Sequence, residues 1–416
     1  MRFFIKNFGC RLNQHEGDII AESLLGADFQ RASFQNADIV IVNGCTVTGK
    51  ADQKVRQFIH KIKRENPGAR IILVSCTAEA IDKNLLDDLA GVEAITGLQR
   101  FNLANYLEKI MSENQFSGDF INIKGTGILR TRAWLKIQDG CDRKCAYCIV
   151  PLVRGNSRSR HADDIVAQIH NLVEAGFKEV VFTGVDIGDW HRNEMRLPAL
   201  LQKILDETKI SRIRLSSIEP PGITEKLAEL ISNEPRIAPH LHIPIQSGSQ
   251  NVLDAMNRPK YRVSELFAKI EKIRIARLDF CFGTDIIVGF PIESEDDFSQ
   301  TVNLLESGKI AYAHLFRFSP RPGTTANEMK LIDPKIINER TKLLKVIDLN
   351  NRRKFAEKFV GQTMEILVEQ VRAEKAIGHT PNYLRAIAEG TATRGSVVKV
   401  LAQSSEPMQI CGKIIS

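Results

Sequence analysis

The spacing of apolar and polar positions divides the chain into three parts, of which the first covers residues 1–110. Three short, mostly apolar runs are typical of buried parallel strands: RFFIKNFG, ADIVIVNG and RIILVS. Between them, HEGDIIAESLL and KADQKVRQFIHKIKREN have the spacing of helices. This alternation predicts a doubly wound α/β domain whose ligand edge lies at the carboxyl ends of its strands.

The second part, residues 127–357, follows a polar linker, SENQFSGDFINIKGTG, and repeats a unit of one strand and one helix. Six segments have the strand pattern: AWLKIQDG, KEVVFTGVD, RIRLSSIEP, HLHIPIQSG, FGTDIIVGFP and AYAHLFRFSP. Helical patterns separate them, among them DDIVAQIHNLVEAG and EDDFSQTVNLLESG. Six such units predict a parallel barrel, complete or partial, with its chemistry at the carboxyl ends of the strands.

A long helical pattern from Lys335 to Lys358 leads into the third part. Short alternating runs follow over residues 358–416, as expected of a small β-barrel: MEILVEQVRA, NYLRAIAEG, SVVKVLAQ and GKII. A barrel of this size is marginally stable alone, so we expect it to pack against the rest of the chain.

Composition and charge narrow the class of protein. The chain is 43% hydrophobic and 26% charged, which excludes disordered and fibrous proteins. No run of eighteen apolar residues and no signal-peptide pattern occurs, so we expect no membrane span and a cytoplasmic location. In a reducing compartment, clustered cysteines are metal ligands or catalysts more often than disulfides.

Three cysteines, Cys141, Cys145 and Cys148, lie within the stretch GCDRKCAYC, directly after the first barrel strand. Three thiolates can hold three irons of a four-iron cluster and leave the fourth iron an open site. A structural zinc site is usually closed by four ligands, and no second C-x2-C or nearby histidine pair supplies the fourth. The spacing therefore favours an iron–sulfur cluster over structural zinc.

Cys10, Cys45 and Cys76 each follow one of the three predicted strands of the first part. Because parallel strands end at the same edge of a sheet, these thiols should converge. Small buried residues at strand ends are the alternative, since free cysteine is often buried. Three equivalent positions favour a metal site, whereas Cys281 and Cys411 fit no motif and are interpreted as packing residues.

The cysteine motifs resemble those of a known family. RTRAWLKIQDGCDRKCAYCIVPLVRGNSRSR, with Tyr147 as the aromatic of C-x3-C-x-aromatic-C, is similar to radical S-adenosylmethionine enzymes of the methylthiotransferase branch. FGCRLNQHE, VNGCTVT and LVSCTAEA resemble the amino-terminal cysteine motifs of that branch. Four further segments resemble its barrel motifs: RLSSIEP, HIPIQSGSQNVLDAMNR, TDIIVGFPIESEDDF and FSPRPGTTA. The segment GHTPNYLRA resembles the entry to its RNA-binding TRAM domain. Gly44 and Ser75 depart from the common pattern, which has Thr and Gly there.

Within the branch, the chain most resembles the tRNA N6-threonylcarbamoyladenosine methylthiotransferases. The resemblance implies that Cys141, Cys145 and Cys148 carry the 4Fe-4S cluster that reduces S-adenosylmethionine to a deoxyadenosyl radical. It implies a second, auxiliary 4Fe-4S cluster on the three amino-terminal cysteines, which relays or donates sulfur. The expected product carries a methylthio group at C2 of an adenine in tRNA. A flavodoxin or ferredoxin type of electron donor and a monomeric protein are expected.

Three alternatives remain open at this point. Two share every cluster motif, namely methylthiolation of isopentenyl-adenosine in tRNA and of a ribosomal-protein aspartate. The third is a non-catalytic, metal-stabilised RNA-binding protein, which would hold zinc and would not depend on S-adenosylmethionine. Six strand–helix units argue against it, because a binder held together by a metal needs no barrel.

Residues at the ends of the predicted barrel strands are candidates for cofactor binding. By the same resemblance they are Thr183, Gly184 and Asp186 after the second strand, Glu219 after the third, and Gln246 and Ser247 after the fourth. Ordinary turn chemistry or helix capping is the alternative for each of them.

The distribution of charge points to the contact with RNA. The net charge of the whole chain is +7, and the long helical pattern contains Arg352, Arg353 and Lys354 in succession. Tyr383 and Arg385, in NYLRA, could stack on a base or contact phosphate. A solvated helix face and half-buried strand residues are the respective alternatives.

Overall fold

The computed structural model describes residues 1–80, 89–108, 120–123, 130–258 and 261–415. In the first part, five parallel strands form one sheet in the order β2-β1-β3-β4-β5. The strands are β1 (Arg2–Asn7), β2 (Gln30–Arg31), β3 (Ile39–Gly44), β4 (Arg70–Ser75) and β5 (Val92–Ile95). The helices are α1 (Arg11–Gly26), α2 (Gly49–Glu65), α3 (Cys76–Glu79) and α4 (Leu103–Glu108).

Helices cover both faces of this sheet, which confirms the doubly wound prediction. Ile20 of α1 packs with Ile41 on one face, and Ile59 of α2 packs with Val40 on the other. Every residue of β3 is buried, because neighbouring side chains of one strand enter two different cores. The predicted linker, residues 112–127, lies outside the described residues except for 120–123.

Six parallel strands form the central part and confirm the predicted partial barrel. They are β6 (Arg132–Lys136), β9 (Glu179–Thr183), β12 (Arg212–Leu215), β13 (His240–Gln246), β14 (Cys281–Val288) and β15 (Tyr312–Arg317). Two bridges, Ile213–Ile237 and Ser217–His242, join the sheet β12-β9-β6 to the sheet β13-β14-β15. Short paired segments accompany them: β7 (Gln138–Asp139), β8 (Arg158–Ser159), β10 (His191–Arg192) and β11 (Met195–Arg196).

Helices surround the barrel and cover its open edges. They are α5 (Val150–Arg154), α6 (Ala162–Glu174), α7 (Leu197–Glu207), α8 (Glu225–Asn233), α9 (Gln250–Ala255), α10 (Val263–Ala276), α11 (Glu295–Glu306) and α12 (Pro334–Glu357). Helix α1 packs against β6, and α12 packs against β15. Asp348 of α12 accepts from the backbone N–H of Ala313 at 2.6 Å, so the helix satisfies a group of the edge strand.

The last part is a closed five-stranded barrel in the order β16-β17-β18-β20-β19, which confirms the prediction of a small β-barrel. Its strands are β16 (Thr363–Arg372), β17 (Lys375–His379), β18 (Arg385–Glu389), β19 (Val397–Glu406) and β20 (Gln409–Ile414). Strand β17 was not predicted, because the residues of KAIGH that face inward, Ala376 and Gly378, are too small to mark an apolar alternation. The barrel core includes Phe355 of α12 and the fully buried Cys281 of β14, so this barrel packs against the rest of the chain, as expected.

An ion-pair network joins the two barrels at Glu179, the first residue of β9. Arg214 donates to Glu179 at 2.7 Å, and Arg212 pairs with both Glu179 at 3.3 Å and Glu365 of the small barrel at 3.1 Å. Burial favours the neutral acid, but the surrounding guanidinium groups outweigh it and lower the pKa of Glu179 to about 2.

We expect Glu179→Gln to lower the free energy of unfolding by about 3–5 kcal/mol at pH 7, because it strands buried guanidinium groups. The difference in free energy of unfolding between the wild type and this variant is largest above the ordinary carboxyl pKa. It declines as pH falls from about 4.5 towards 2, because Glu179 becomes protonated. Urea unfolding of the metal-free protein at several pH values measures both effects. Glu365→Gln is the control, since its half-exposed pair should contribute less than about 1 kcal/mol; equal losses in the two variants would contradict the prediction.

Candidate active site

The three amino-terminal cysteines come together at the carboxyl edge of the first sheet. Cys45 and Cys76 directly follow β3 and β4, and Cys10 lies in the loop between β1 and α1. The thiols of Cys10 and Cys76 both donate to Oδ1 of Asn13, at 3.6 and 3.9 Å. Burial raises the pKa of the Cys45 thiol to about 12 and that of Cys76 to about 11.

Gly9 makes room for this arrangement. Its φ of +96° is one that residues with a side chain rarely adopt, and a Cβ there would lie 2.8 Å from Sγ of Cys45. The close approach of backbone and thiol therefore requires glycine in the residue before Cys10.

The second set of cysteines lies on the loop between β7 and α5. The backbone N–H of Cys141 donates to the carbonyl of Gly155 at 3.0 Å, and that of Cys148 to the carbonyl of Cys145 at 3.1 Å. Gly140 has a φ of +72°, and a Cβ there would collide with the carbonyl of Asn156. The loop is therefore folded back on itself, with all three thiols free.

Neither triad has the compactness of a zinc site. In a tetrahedral site with Zn–S bonds of about 2.3 Å, the sulfur atoms lie roughly 3.8 Å apart. Within the described ranges, only His242, Asp285 and His314 form a trio whose ligand atoms all lie within 4.8 Å of one another. Neither triad of thiols meets this limit.

Arg154 of α5 connects the two triads. Its side chain is 6% exposed and donates to Sγ of Cys76 at 3.1 Å. It also donates to Glu16 at 3.0 Å and to Asp139 at 3.1 Å. The carboxylate of Asp139 in turn accepts from the backbone N–H of Gly140, the residue before Cys141. These contacts place both triads at one polar interface between the first sheet and the central barrel.

A cavity of about 220 Å³ opens beside Cys145 of the second triad. Its walls include Arg143, Glu219, Arg258 and Tyr261. Arg258 forms an ion pair with Glu219, donates to the carbonyl of Pro244 at 2.7 Å and lies 3.8 Å from Sγ of Cys145. Glu219, a predicted cofactor contact, therefore faces a cavity next to the cysteine loop.

The residues that end β9 support the cysteine loop. Thr183 is buried, Gly184 lies against Gln138, and Asp186 is buried and accepts from Arg143 at 3.0 Å. Asp186 also accepts from the N–H of Glu219 at 3.2 Å, so it joins two walls of the cavity. Burial and the carboxylate of Glu219 raise the pKa of Asp186 to about 6.

The residues that end β13 differ from each other. Gln246 has a φ of +75° beside a register shift in the ladder, a strained conformation of the kind found at functional sites. Ser247 is fully buried, and its hydroxyl accepts from the N–H of Ser249 at 3.1 Å and lies 3.4 Å from Thr301. These contacts place Ser247 in the turn after β13, and its role as a cofactor contact stays a prediction.

Two of the predicted RNA contacts are engaged within the protein. Arg352 donates to Asp348 at 2.7 Å and to the carbonyl of Ala313 at 2.9 Å, so it fastens α12 to β15. Tyr383 lies at the base of the central barrel with its ring 4.5 Å from that of His240. Contact of these two residues with RNA stays a prediction.

The remaining predicted RNA contacts lie at the surface. Arg353 and Lys354 are exposed on α12. Arg385 is exposed on β18, where it donates to Gln409 at 2.7 Å.

Several polar groups that face into the barrel were not predicted from the sequence. His242 and Asp285 form a pair at 2.9 Å on neighbouring strands, and His314 lies beside them on β15. The alternation in HLHIPIQ carries the signal for His240 and His242, since Leu241 and Ile243 between them enter the outer core. Arg11 was also missed, because a single basic residue inside a motif gives no indication of its partner.

Comparison with known proteins assigns the two larger parts of the chain. Residues 135–305 match the family model described as the Radical SAM superfamily, and residues 2–97 match uncharacterized protein family UPF0004. No helix in the described ranges has the length and apolar character to span a membrane.

Relatives of established name match over nearly the whole chain. The threonylcarbamoyladenosine tRNA methylthiotransferase MtaB of Bacillus subtilis is 33% identical, with 94% of this chain and 91% of the relative covered. MtaB of Rickettsia prowazekii is 35% identical over 96% and 94% of the two chains. The tRNA-2-methylthio-N(6)-dimethylallyladenosine synthase of Endomicrobium trichonymphae is 30% identical over 94% of each.

Among solved structures, the radical S-adenosylmethionine methyltransferase TsrM of Kitasatospora setae superposes with a TM-score of 0.59. The match covers 78% of this chain and 74% of TsrM at 12% identity, which supports the fold alone.

Proposed function

Because the chain belongs to the radical S-adenosylmethionine methylthiotransferases, we propose that it methylthiolates C2 of N6-threonylcarbamoyladenosine next to the anticodon of tRNA. Relatives named for that nucleoside are 33–35% identical to the chain, and those named for dimethylallyladenosine are 30% identical. The observation that carries the proposal is the pair of cysteine triads joined through Arg154. One triad suits radical chemistry, and only the two together suit the insertion of sulfur.

Membership of the family implies S-adenosylmethionine and a 4Fe-4S cluster as cofactors. In the proposal, Cys141, Cys145 and Cys148 hold that cluster, and Cys10, Cys45 and Cys76 hold a second one. Three thiols without a fourth ligand, and the glycines that make space beside them, fit groups of this kind. When bound, the clusters supply the electron that cleaves S-adenosylmethionine and the sulfur that reaches the base.

The chain's own residues bind and orient the reactants. In the proposal, the cavity beside Cys145 receives S-adenosylmethionine, with Glu219 and Arg258 as its charged wall. Asp186 holds Arg143 in place, and the backbone at Thr183 and Gly184 with the strained Gln246 borders the cofactor. Arg154 lies between the triads, where it pairs with Glu16 and Asp139 and contacts Cys76.

The remaining parts of the proposal concern organisation and partners. The domains are a methylthiotransferase domain (1–110), a radical S-adenosylmethionine core (127–357) and a TRAM-like RNA-binding domain (358–416). Exposed cations on the last two contact tRNA phosphates: Arg353, Lys354 and Arg385. The protein acts as a monomer in the cytoplasm with a flavodoxin or ferredoxin type of electron donor.

Anaerobic reconstitution followed by iron and sulfide analysis tests the cofactors, and nucleoside mass spectrometry tests the substrate. We expect about eight irons per chain, since each triad holds a four-iron cluster. Incubation with tRNA bearing threonylcarbamoyladenosine should yield its methylthio derivative. Zinc in place of iron, or activity only on dimethylallyladenosine, would overturn the proposal.

We expect Gly9→Ala to lose about half of the reconstituted iron, because the added Cβ displaces Cys45 from one of two clusters. The iron content of the anaerobically reconstituted variant measures this loss. Gly26→Ala is the matched control, since a Cβ at the end of α1 meets no atom within 4 Å. Full iron content in Gly9→Ala would show that the close approach at Cys45 does not matter for cluster binding.

A further inference from the structure

Arg11 is an arginine of the barrel interior that lacks a carboxylate partner. It follows Cys10 directly and begins α1, and its side chain reaches the space enclosed by β6, β12 and β13. There its guanidinium donates to the hydroxyl of Tyr383 at 2.8 Å and lies 5.3 Å from the centre of that ring. In the described part of the chain, no carboxylate oxygen lies within 4.0 Å of it.

The other arginines around Tyr383 are neutralised. Arg214 pairs with Glu179 at 2.7 Å, and Arg132 pairs with Glu369 at 2.8 Å. Burial, together with the nearby arginines, lowers the pKa of His240 well below its ordinary value. This ring is therefore neutral and adds no positive charge to the cluster. Glu179 attracts Arg11 only from beyond hydrogen-bond distance and already pairs with Arg212 and Arg214. Because buried cations are usually paired directly, the positive charge of Arg11 suits an anion from outside the chain.

We propose that Arg11 binds the carboxylate of the threonyl group of N6-threonylcarbamoyladenosine and thereby selects this nucleoside over uncharged ones. The inference rests on the proposed function. In adenine, N6 and C2 lie on either side of N1, so a group on N6 is next to the reacting carbon. An arginine beside Cys10, a proposed ligand of the sulfur-carrying cluster, is therefore within reach of that group. A dimethylallyl group is a hydrocarbon and offers the guanidinium nothing to bind.

Tyr383 acts as a positioning residue for Arg11. It precedes β18 with a φ of +71°, a strained conformation that the small barrel holds in place. Its hydroxyl and ring fix the guanidinium on one side and leave its other N–H groups for a ligand. The small barrel thus supplies one wall of the substrate pocket besides contacting RNA.

A polar wall continues from Tyr383 to β14. The ring of His240 contacts that of Tyr383, and its Nε2 lies 2.8 Å from the hydroxyl of Tyr312. The same hydroxyl lies 3.5 Å from Nδ1 of His242, which pairs with Asp285. Such a chain of donors and acceptors suits the hydroxyl and carbamoyl groups that accompany the threonyl carboxylate.

Binding of anticodon stem-loop RNAs to the reconstituted enzyme tests the inference. One RNA carries threonylcarbamoyladenosine, a second its methyl ester, a third dimethylallyladenosine, and a fourth unmodified adenosine. For the wild type we expect the free acid to bind about tenfold to a hundredfold more tightly than its ester, the range for a charge-assisted pair. Arg11→Gln should abolish this preference, and Arg11→Lys should keep part of it, as a charge without the planar fork.

Two further variants separate selectivity from general damage. Arg132→Gln removes a guanidinium 5.9 Å from the same ring of Tyr383, but one that is already paired, and it should keep the preference for the free acid. Tyr383→Phe should reduce the preference by about twofold to tenfold, the loss for a neutral hydrogen bond. Iron content, measured for each variant, shows whether the neighbouring Cys10 is disturbed.

Several results would overturn the inference. Equal binding of acid and ester by the wild type would do so without any variant. So would an Arg11→Gln enzyme whose affinity falls by the same factor for all four RNAs, because the preference for the free acid would then persist and the arginine would contact a phosphate. Wild-type enzyme that methylthiolates only dimethylallyladenosine would refute the proposed function itself, a result distinct from loss of acid-over-ester preference.

Discussion

Cys141→Ala should abolish cleavage of S-adenosylmethionine, whereas Cys10→Ala should retain cleavage and lose methylthiolation of tRNA. The two triads are joined only through side chains such as Arg154 and do not share a thiol. Loss of one cluster should therefore leave the other in place, with about half of the iron in each variant. Iron analysis, release of deoxyadenosine and nucleoside mass spectrometry of the tRNA measure the three quantities.

Cys411→Ala is the control for loss of a thiol as such. It lies on β20 of the small barrel, away from both triads, and should keep full iron content and product formation. If Cys10→Ala has the iron content of the wild type, the second cluster is refuted. If Cys141→Ala still cleaves S-adenosylmethionine, the assignment of the radical chemistry to the second triad is refuted.

The convergence of the cysteines could be predicted because it depends on local pattern and one topological rule. Apolar runs mark the strands, and parallel strands present their carboxyl ends to one edge, so Cys45 and Cys76 follow from the sequence. Strands β2 and β17 could not be predicted this way. The first has only two residues, and the second turns only Ala376 and Gly378 inward, which leaves no apolar alternation to detect.

The charged groups that complete the site depend on contacts that are remote in sequence. Arg154 contacts Cys76 across 78 positions, and Arg11 contacts Tyr383 across 372. A basic residue in a motif is compatible with RNA binding, a salt bridge or substrate binding, and only its surroundings distinguish these roles. Arg352 illustrates this ambiguity: it belongs to a run of three basic residues that predicts phosphate contacts, and in the structure it pairs with Asp348 one helical turn away.

The second large effect is expected for Arg154→Gln, which should destabilise the protein by about 3–5 kcal/mol. Glu16 is fully buried and Asp139 nearly so, and both accept from this guanidinium. Although burial raises their pKa values, Arg154 and its basic neighbours lower the pKa of Asp139 to about 2 and that of Glu16 well below its ordinary value. Without Arg154, Glu16 loses its main counter-charge, and Asp139 keeps Lys136 as its closest one.

This loss can be separated from a general effect of removing an arginine. Urea unfolding of the metal-free protein at pH 7 should show the full difference between wild type and Arg154→Gln. The difference should shrink as pH falls from about 4.5 towards 2, because the carboxylates become protonated. Arg70→Gln, which removes a surface pair with Glu93, should cost less than about 1 kcal/mol. Since Arg154 also contacts Cys76, iron content should fall in Arg154→Gln and not in Arg70→Gln. An Arg154→Gln protein with the stability and the iron content of the wild type would show that this network does not hold the two triads together.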